Sequence, residues 1–346
     1  MDVAELLKFS VRESASDIHI SAGEPPIMRI HGDMRMVEMA NLTAEEVHKF
    51  LYEILSDEQR KVFEETLEID FSIDLKGIAR FRVNAFVQNR GKSIVFRNIP
   101  TKIPTFEELN LPSIMADITR KPKGLVLVTG PTGSGKSTTL AAMVNLINNE
   151  RKAHILTVED PIEFVHNTNN CLISQRELGP HTHSFANALR AALREDPDVI
   201  LVGEMRDLET ISLAITAAET GHLVMGTLHT SSAAKTIDRV IDVFPSEQQA
   251  QIRAMFAESI NAVIAQVLLR KKGGGRVAAH EIMLGTPAVR NLIREGKTTQ
   301  ISSAIQTGKQ FGMQSMDSAL VALHNDDMVE KDEIIHIIGN PSMLQQ

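Results

Sequence analysis

The feature that most constrains this chain is a glycine-rich stretch, GPTGSGKS, at residues 130–137. Four apolar residues, 125–128, precede it, and apolar residues recur at helical spacing after it, which predicts a strand, a tight turn and a helix. Glycines let backbone N–H groups curl around an anion, and the start of a helix adds unpaired donors. The stretch therefore predicts a phosphate-binding loop in an α/β domain, the alternative being a glycine-rich turn that binds nothing.

The side chains after the last glycine of this loop point to a nucleoside triphosphate with Mg²⁺. Lys136 would reach the β- and γ-phosphates, and Ser137 would offer its hydroxyl to Mg²⁺, a hard cation that prefers oxygen ligands. On its own, the loop predicts binding and not the reaction that follows. The residues that we expect to contact the nucleotide here are Gly130, Pro131, Thr132, Gly133, Ser134, Gly135, Lys136, Ser137 and Thr138.

Length and composition limit the classes of protein that this chain can be. A chain of 346 residues is long enough for two domains, each with its own core. The net charge of −8, the absence of Trp and the single Tyr disfavour nucleic-acid binding, which relies on basic surface and aromatic stacking. The single cysteine, Cys171, excludes an intrachain disulfide and fits a reducing compartment. The sequence has neither an apolar run of membrane-spanning length nor a signal-peptide pattern, so we expect a cytoplasmic protein.

The pattern of elements divides the chain into two domains. Residues 1–97 mix short strands with two capped helices, which predicts an α+β domain. Residues 113–346 alternate strands with helices, which predicts a mostly parallel sheet followed by a helical C-terminal end. A two-proline connector at 98–104 predicts a hinge within a linker, 98–112.

An arginine-bearing strand is the most informative part of the first domain. In residues 79–85, the period of two places Arg80 and Arg82 on one face and apolar residues on the other. The next predicted strand adds Arg97 to the neighbourhood. These arginines either form a solvated face or reach a phosphate, because a planar fork of donors suits oxyanions.

Acidic residues follow two predicted strands of the second domain. Glu159, Asp160 and Glu163 come after one apolar strand, and Glu204 comes after another. Ligands of parallel sheets bind at the carboxyl ends of strands, and an acid after a buried strand is typical of a Mg²⁺-bound nucleotide site. We therefore expect Glu204 to act on Mg²⁺, whereas the first acidic stretch is open to a second interpretation, a plain turn at Pro161.

Two histidines, His222 and His229, bracket a further predicted strand. From the pattern alone, they either sense a bound phosphate or are ordinary core or surface residues. A zinc site is excluded because the sequence has neither a paired-cysteine motif nor a helical HExxH motif.

The remainder of the chain is predicted to be mostly helical. Residues 246–270 predict one long helix, a basic glycine loop follows, and residues 276–283 predict a strand. Four further helices are predicted within residues 287–295, 299–307, 315–324 and 331–338.

Together, these motifs resemble those of the PilT-type motors of bacterial type IV pili, within the wider secretion-ATPase superfamily. In such families the acidic stretch, the strand before Glu204 and the histidine-flanked strand are called the Asp box, Walker B and His box. Residues 288–295, AVRNLIRE, look like the retraction signature of the family, with Val289 in place of isoleucine. The resemblance is nearly full length and rests on residues 16–20, 23–26, 80–84, 130–137, 158–163, 203–204, 221–224 and 226–230.

The resemblance implies a fold and assigns roles that the pattern left open. The first domain would be PAS-like, the second a RecA-like ATPase domain, and six subunits would form a ring. Glu163 would orient or deprotonate the attacking water, and Glu204 would hold Mg²⁺ through water. The residues that would otherwise line the ATP site are Lys136, His222 and His229, with Arg80, Arg82 and Arg97 closing over the phosphates as the first domain rotates.

The activity implied is that of a hexameric, Mg²⁺-dependent ATPase that drives pilus retraction and twitching motility. Its partners would be its own copies, an inner-membrane pilus platform protein and a paralogous retraction ATPase, with no nucleic acid, and it would dock at the cytoplasmic side of the inner membrane. The alternatives are a pilus-assembly or type II secretion ATPase, a RecA-like nucleic-acid motor and a non-hydrolysing nucleotide switch. A pilus-assembly or type II secretion ATPase would typically carry a longer N-terminal region and a tetracysteine module. The negative net charge of the chain disfavours a nucleic-acid motor.

Overall fold

The structure of the protein is a computed structural model, which describes residues 2–30, 32–75, 77–99 and 102–345. Two units, residues 1–102 and 103–346, each have a core of their own. Pro100 and Thr101 of the predicted hinge lie outside the described residues. In the described part of the chain, no helix is both long and apolar enough to cross a membrane.

The first unit is an antiparallel sheet with helices packed on it. Its elements are α1 (Val3–Arg12), β1 (Asp17–Ser21), β2 (Ile27–Ile30), β3 (Asp33–Met36), α2 (Ala44–Ile54), α3 (Asp57–Thr66), β4 (Glu68–Leu75), β5 (Ala79–Gln88) and β6 (Gly91–Ile99). The strands among its described residues are ordered β3-β2-β1-β6-β5-β4. The predicted capping boxes of α2 and α3, which begin at Thr43 and Ser56, are both formed. The α+β prediction is confirmed, although β6 continues two residues past the predicted end of the domain.

The second unit is a larger sheet with helices on both faces. Its elements are α4 (Ser113–Thr119), β7 (Gly124–Thr129), α5 (Lys136–Glu150), β8 (His154–Glu159), β9 (Leu172–Glu177), α6 (Phe185–Ala192), β10 (Val199–Val202), α7 (Leu208–Glu219), β11 (Leu223–Leu228), α8 (Ala233–Asp242), α9 (Ser246–Ser259), β12 (Ile260–Arg270), β13 (Arg276–Leu284), α10 (Pro287–Arg294), α11 (Ile301–Thr307), α12 (Met316–Asn325) and α13 (Lys331–Ile334). Its described strands are ordered β13-β12-β7-β11-β10-β8-β9, and neighbours are parallel except for β12 and β13. The predicted mostly parallel sheet is therefore confirmed.

Separate apolar cores lie on the two faces of this sheet, because successive residues of a strand point to opposite sides. In β7, Leu125 and Leu127 belong to the core that includes α7, α8 and α9. Val126 and Val128 belong to the core on the other face, with α4 and α5. The strand is buried on both faces, so the glycine-rich loop that follows it starts from a rigid base.

One predicted helix, residues 246–270, is wrong over its second half. The helix α9 ends at Ser259, and the remaining residues form β12, which lies directly beside β7. Ile260, Val263 and Ile264 are fully buried. A strand that is buried on both faces is apolar at nearly every position, so periodicity does not distinguish it from a buried helix. The signal that favours a strand is the recurrence of β-branched residues, at Ile260, Val263, Ile264 and Val267.

Candidate nucleotide-binding site

The loop between β7 and α5 adopts backbone conformations that favour glycine. Gly130, Gly133 and Gly135 have φ angles of 145°, 78° and 88°. A Cβ atom at Gly130 would lie only 2.3 Å from the backbone oxygen of Gln266, so no larger residue fits there. Because Gly135 is the N-cap of α5 and has no side chain, the first N–H groups of this helix are left for an anion.

The side chain of Lys136 is folded back onto this loop. Its Nζ atom donates to the carbonyl oxygens of Gly130, at 2.9 Å, and Pro131, at 3.1 Å. Burial lowers the pKa of Lys136, and the charges of Glu204 and Glu163 oppose this shift by favouring the ammonium form. Lys136 is therefore a largely desolvated cation whose present acceptors are neutral.

His229 lies between Lys136 and Glu204, at the carboxyl end of β11. Its Nδ1 atom is 3.5 Å from Lys136 Nζ, and its Nε2 atom is 3.1 Å from a carboxylate oxygen of Glu204. The ammonium has only protons to donate and the carboxylate only lone pairs to accept, so a neutral imidazole protonated on Nε2 satisfies both contacts. The structure thus brings together three residues that the sequence places far apart.

Glu204 follows β10 and is partly buried. Its carboxylate is paired with Arg206, which the sequence analysis did not identify as a site residue. Burial by itself would raise the pKa of Glu204, but the hydrogen bond and charge of Arg206, with the charge of Lys136, hold it below its ordinary value. Glu204 is therefore ionised at neutral pH.

The acidic stretch after β8 contains one sheltered and one exposed glutamate. Glu159 accepts hydrogen bonds from the hydroxyl of Thr157, at 2.6 Å, and the amide of Gln175, at 3.2 Å, and burial raises its pKa to about 6. Glu163 is exposed, and its charge acts on Lys136. The two acids therefore have different surroundings, and Glu163 is the one free to meet a ligand.

Gln266 of β12 is a site residue that the sequence analysis missed. Its side chain is buried and joins the loop to the helix α5 that follows it: Nε2 donates to the carbonyl of Ser134, at 2.6 Å, and Oε1 accepts from the hydroxyl of Thr139, at 2.8 Å. The sequence does not indicate it because the helix predicted over residues 246–270 includes this position. A buried polar residue inside an apolar strand is the signal that would have identified it.

His222 does not lie with the other predicted site residues of this unit. It precedes β11, whereas His229 follows it, and six strand residues span about 20 Å. The carbonyl of His222 accepts from Gly124 at the start of β7, so the residue lies at the opposite edge of the sheet from the phosphate loop. The expectation that His222 contacts nucleotide in its own subunit does not agree with this geometry.

The predicted arginines lie in the first unit, on the partly exposed face of β5 and on β6. Arg82 and Arg97 face each other across the β5–β6 pair. Each arginine has a partner from its own sheet, and these contacts are Arg82 with Asp70 at 2.5 Å, Arg97 with Asp17 at 2.8 Å and Arg80 with Ser72 at 2.9 Å.

The loop and its surroundings fit a phosphate with a magnesium ion. Ser134 Oγ is buried and has no hydrogen-bond partner among the described residues, so it is available to an acceptor or donor that enters the loop. Ser137, in the first turn of α5, and Glu204 supply oxygen atoms at the same edge of the sheet. Mg²⁺ in nucleotide sites needs only one or two protein ligands, since phosphates and water complete its shell.

The fold and the site define a phosphate-loop nucleotide-binding protein with an additional N-terminal unit. The chain belongs to the type II/IV secretion system protein family, whose sequence profile matches residues 2–275.

Similar proteins align with nearly the whole length of this chain. The type IV pilus retraction ATPase PilT of Pseudomonas aeruginosa is 60% identical over 332 residues, 96% of either chain. A twitching motility protein of Neisseria gonorrhoeae is 56% identical over 328 residues, 94% of this chain and 88% of the relative. A crystal structure of the pilus retraction motor PilT with bound ADP aligns with a TM-score of 0.93 and 44% identity, covering 100% of this chain and 99% of the other.

Proposed function

We propose that this protein is a Mg²⁺-dependent ATPase that acts as the motor of type IV pilus retraction. The observation that carries the proposal is the contact of Lys136, His229 and Glu204 beside the glycine-rich loop, at the ends of neighbouring strands. The similarity to a retraction ATPase over nearly the full length supports both the substrate and the direction of the motor.

ATP binding begins with a change of partner at Lys136. The ammonium group now donates to two neutral carbonyls, and a triphosphate oxygen is a charged and therefore stronger acceptor. Backbone N–H groups of the loop and of the first turn of α5 surround the phosphates. Because Lys136 is already desolvated, its charge acts strongly on phosphate oxygens without further loss of water.

Two residues would hold the magnesium ion, Ser137 through its hydroxyl and Glu204 through water. When bound there, Mg²⁺ would supply positive charge that neutralises the developing charge of the triphosphate. Glu204 stays ionised because its pKa is low. The Nε2–H group of His229 fixes the orientation of the Glu204 carboxylate, and its Nδ1 atom faces Lys136, so a change at the γ-phosphate alters the His229 contacts.

Glu163 orients or deprotonates the attacking water. Its side chain is exposed at the same edge of the sheet, and its charge reaches Lys136. As the water oxygen attacks the γ-phosphorus, the proton passes to a carboxylate oxygen of Glu163 and the bond to the leaving ADP oxygen breaks.

Two substitutions test these roles. Glu163→Gln should lower kcat by about 10² or more and leave ATP affinity unchanged, because it removes a base that does not hold nucleotide. Glu204→Gln should also weaken the Mg²⁺-dependent part of ATP binding. Steady-state hydrolysis and nucleotide-binding titrations measure both effects, and wild-type turnover in Glu163→Gln would remove this residue from the mechanism.

Among the arginines, Arg82 is better suited than Arg97 to leave its partner for a phosphate. Two guanidinium nitrogens of Arg82 contact the Asp70 carboxylate, but both side chains are more than a third exposed, so solvent screens the pair and limits its contribution to about 1 kcal/mol. Asp17 is buried, so withdrawal of Arg97 would strand a carboxylate whose pKa this arginine holds low against the effect of burial. Arg82→Gln should therefore reduce kcat by about 10³ if Arg82 acts as an arginine finger.

We also propose that six copies of this protein form a ring, which docks on a platform protein at the inner membrane and acts together with a paralogous ATPase. Fluorescence imaging of pili in cells that lack the protein tests the direction of the motor. Pili that extend and never retract are the expected result, with loss of twitching. Cells without any pili would instead indicate an assembly ATPase.

A further inference from the structure

The chain between β8 and β9, residues 160–171, carries Glu163 and contains no described helix or strand of its own. Its conformation therefore depends on hydrogen bonds to neighbouring elements. The strand β9 lies at the edge of the sheet and pairs only with β8 among the described strands. In this pairing Gln175 lies opposite Thr157 and Glu177 lies opposite Glu159, so both β9 side chains are on the face that carries Glu159.

Gln175 and Glu177 hold the backbone on both sides of Glu163. The Nε2 atom of Gln175 donates to the carbonyl of Phe164, at 2.8 Å, and its Oε1 atom accepts from the N–H of His166, at 2.8 Å. A carboxylate oxygen of Glu177 accepts from the N–H of Ile162, at 3.1 Å. The backbone is thus fixed at three alternate positions that bracket Glu163.

These contacts determine which side chains of the segment face outward. Ile162 and Phe164 are buried, whereas Glu163 and Val165 are exposed. A rotation of the segment that moved Glu163 inward would break the bonds at Ile162 and Phe164 and bury a carboxylate, which is costly. The alternation of buried and exposed residues therefore follows from the bonds to β9.

A different element holds the far end of the segment. Asn148 of α5 accepts from the N–H groups of Asn169, at 3.2 Å, and Cys171, at 3.1 Å, and donates to the carbonyl of Asn167, at 2.7 Å. The segment is consequently attached at one end to the helix that begins at the phosphate loop. The part next to Glu163 is held by Gln175 and Glu177, together with Glu159, which accepts from the N–H of Glu163 at 3.4 Å.

We infer that Gln175 and Glu177 are positioning residues for hydrolysis, which fix the direction of the Glu163 side chain relative to the phosphate loop. This inference rests on the proposed role of Glu163 as the residue that acts on the attacking water. Neither β9 residue touches the nucleotide. Each acts through the backbone of residues 162–166.

Gln175→Met is the first test, because it keeps the length of the side chain and removes its hydrogen bonds. We expect kcat for ATP hydrolysis to fall by about 10- to 100-fold, since a small displacement of a catalytic group has an effect of this size. The KM for ATP and the affinity for ADP should not change. A higher KM with normal kcat would overturn the inference.

Two control variants separate this effect from a general loosening of the sheet. Leu172→Gln alters an exposed residue at the other end of β9. Thr157→Val removes a different donor to Glu159 and leaves the hydrogen bonds of residues 162–166 to Gln175 and Glu177 in place. Both should retain wild-type kcat, and thermal unfolding of all three variants should confirm that they fold. A loss of kcat in the controls equal to that in Gln175→Met would make the effect a structural one and overturn the inference.

Glu177 offers a matched pair of substitutions. Glu177→Gln keeps an oxygen that accepts from Ile162 and should retain kcat within about threefold, whereas Glu177→Leu removes the acceptor and should lower kcat as Gln175→Met does. Equal losses in both would show that the negative charge, and not the hydrogen bond, is what matters, against the inference.

A double-mutant cycle with Glu163→Gln is the decisive measurement. If Gln175 acts through Glu163, then Gln175→Met should have no further effect on single-turnover hydrolysis in the Glu163→Gln background. Independent, multiplicative effects would overturn the positioning role and leave the proposed function intact. Wild-type turnover in Glu163→Gln alone would instead remove the base on which the inference rests, so the two failures are distinguishable.

Discussion

Two loops at the same edge of the sheet are built in opposite ways. The phosphate loop, residues 130–135, presents backbone groups, and its shape comes from its own glycines, with Gln266 as a brace. The acid loop, residues 160–166, presents the side chain of Glu163, and its shape comes from Gln175 and Glu177 on the next strand. The phosphate loop therefore takes its shape mainly from backbone conformations that its own glycines allow, whereas the acid loop takes its shape from side chains of a neighbouring strand.

The largest expected effect is that of a methyl group at Gly130. In Gly130→Ala the new Cβ atom would lie 2.3 Å from Gln266 O and 2.6 Å from Ser134 Oγ, so the loop must move. We expect ATP affinity to fall by more than about 100-fold, because the N–H groups no longer converge on one anion.

Gly133→Ala is the matched control for this prediction. Its φ is also positive, but nothing lies within 4 Å of the added Cβ. Only a strain of about 1–2 kcal/mol is expected, seen as reduced thermal stability. Equal losses of affinity in the two variants would contradict the idea that close packing against Gln266 shapes the loop.

Loss of the brace should have the next largest effect. Gln266→Leu leaves the Ser134 carbonyl and the Thr139 hydroxyl without their buried partner, and we expect ATP affinity to fall about tenfold with little change in kcat. Thr139→Val removes one of the two bonds and should have a smaller effect. Isothermal titration measures the change in ATP affinity, and steady-state kinetics measures the change in kcat. A loss of kcat with unchanged affinity would contradict the contrast between the two loops.

The sheltered Glu159 should make stability depend on pH. Burial raises its pKa to about 6, above the ordinary value of 4.5, so folding favours the protonated form. The stabilisation of the folded state by protonated Glu159 is fully present below about pH 4.5 and is lost as pH rises through about 6. As pH rises from about 4.5 to above 6, the free energy of unfolding of Glu159→Gln should therefore increase by about 1–2 kcal/mol relative to that of the wild type. Denaturant unfolding at pH 4.5 and 7.5 measures the difference, and parallel pH profiles would contradict it.

The smallest effect is expected at His222. Because this residue lies at the far edge of the sheet from the phosphate loop, His222→Ala should change ATP affinity by no more than about twofold. His229→Ala is the positive control, since it removes the contacts with Lys136 and Glu204. A large loss of affinity in the first variant would place His222 in a nucleotide site after all.

Much of the site was predictable because its motifs are local. The phosphate loop is contiguous, and its strand–turn–helix context can be read directly. Glu204 was predicted because an acid after a buried strand lies at the edge where ligands of parallel sheets bind, whereas the role of Glu163 came from the family resemblance. The period of two in β5 correctly predicted the partly exposed arginine face. The local pattern gave a wrong prediction, a helix, at β12, because burial on both faces of this strand removes the period of two.

The sequence by itself determined the phosphate loop, the mostly parallel sheet that carries it and the edge at which the acids gather, because each depends on residues close together in the chain. Only the tertiary structure decided that Gln266 braces the loop, that His229 and not His222 joins Lys136 to Glu204, and that β9 directs Glu163 outward. These contacts join residues from different strands, and the physical reason is that strand order and register, which set them, depend on long-range packing.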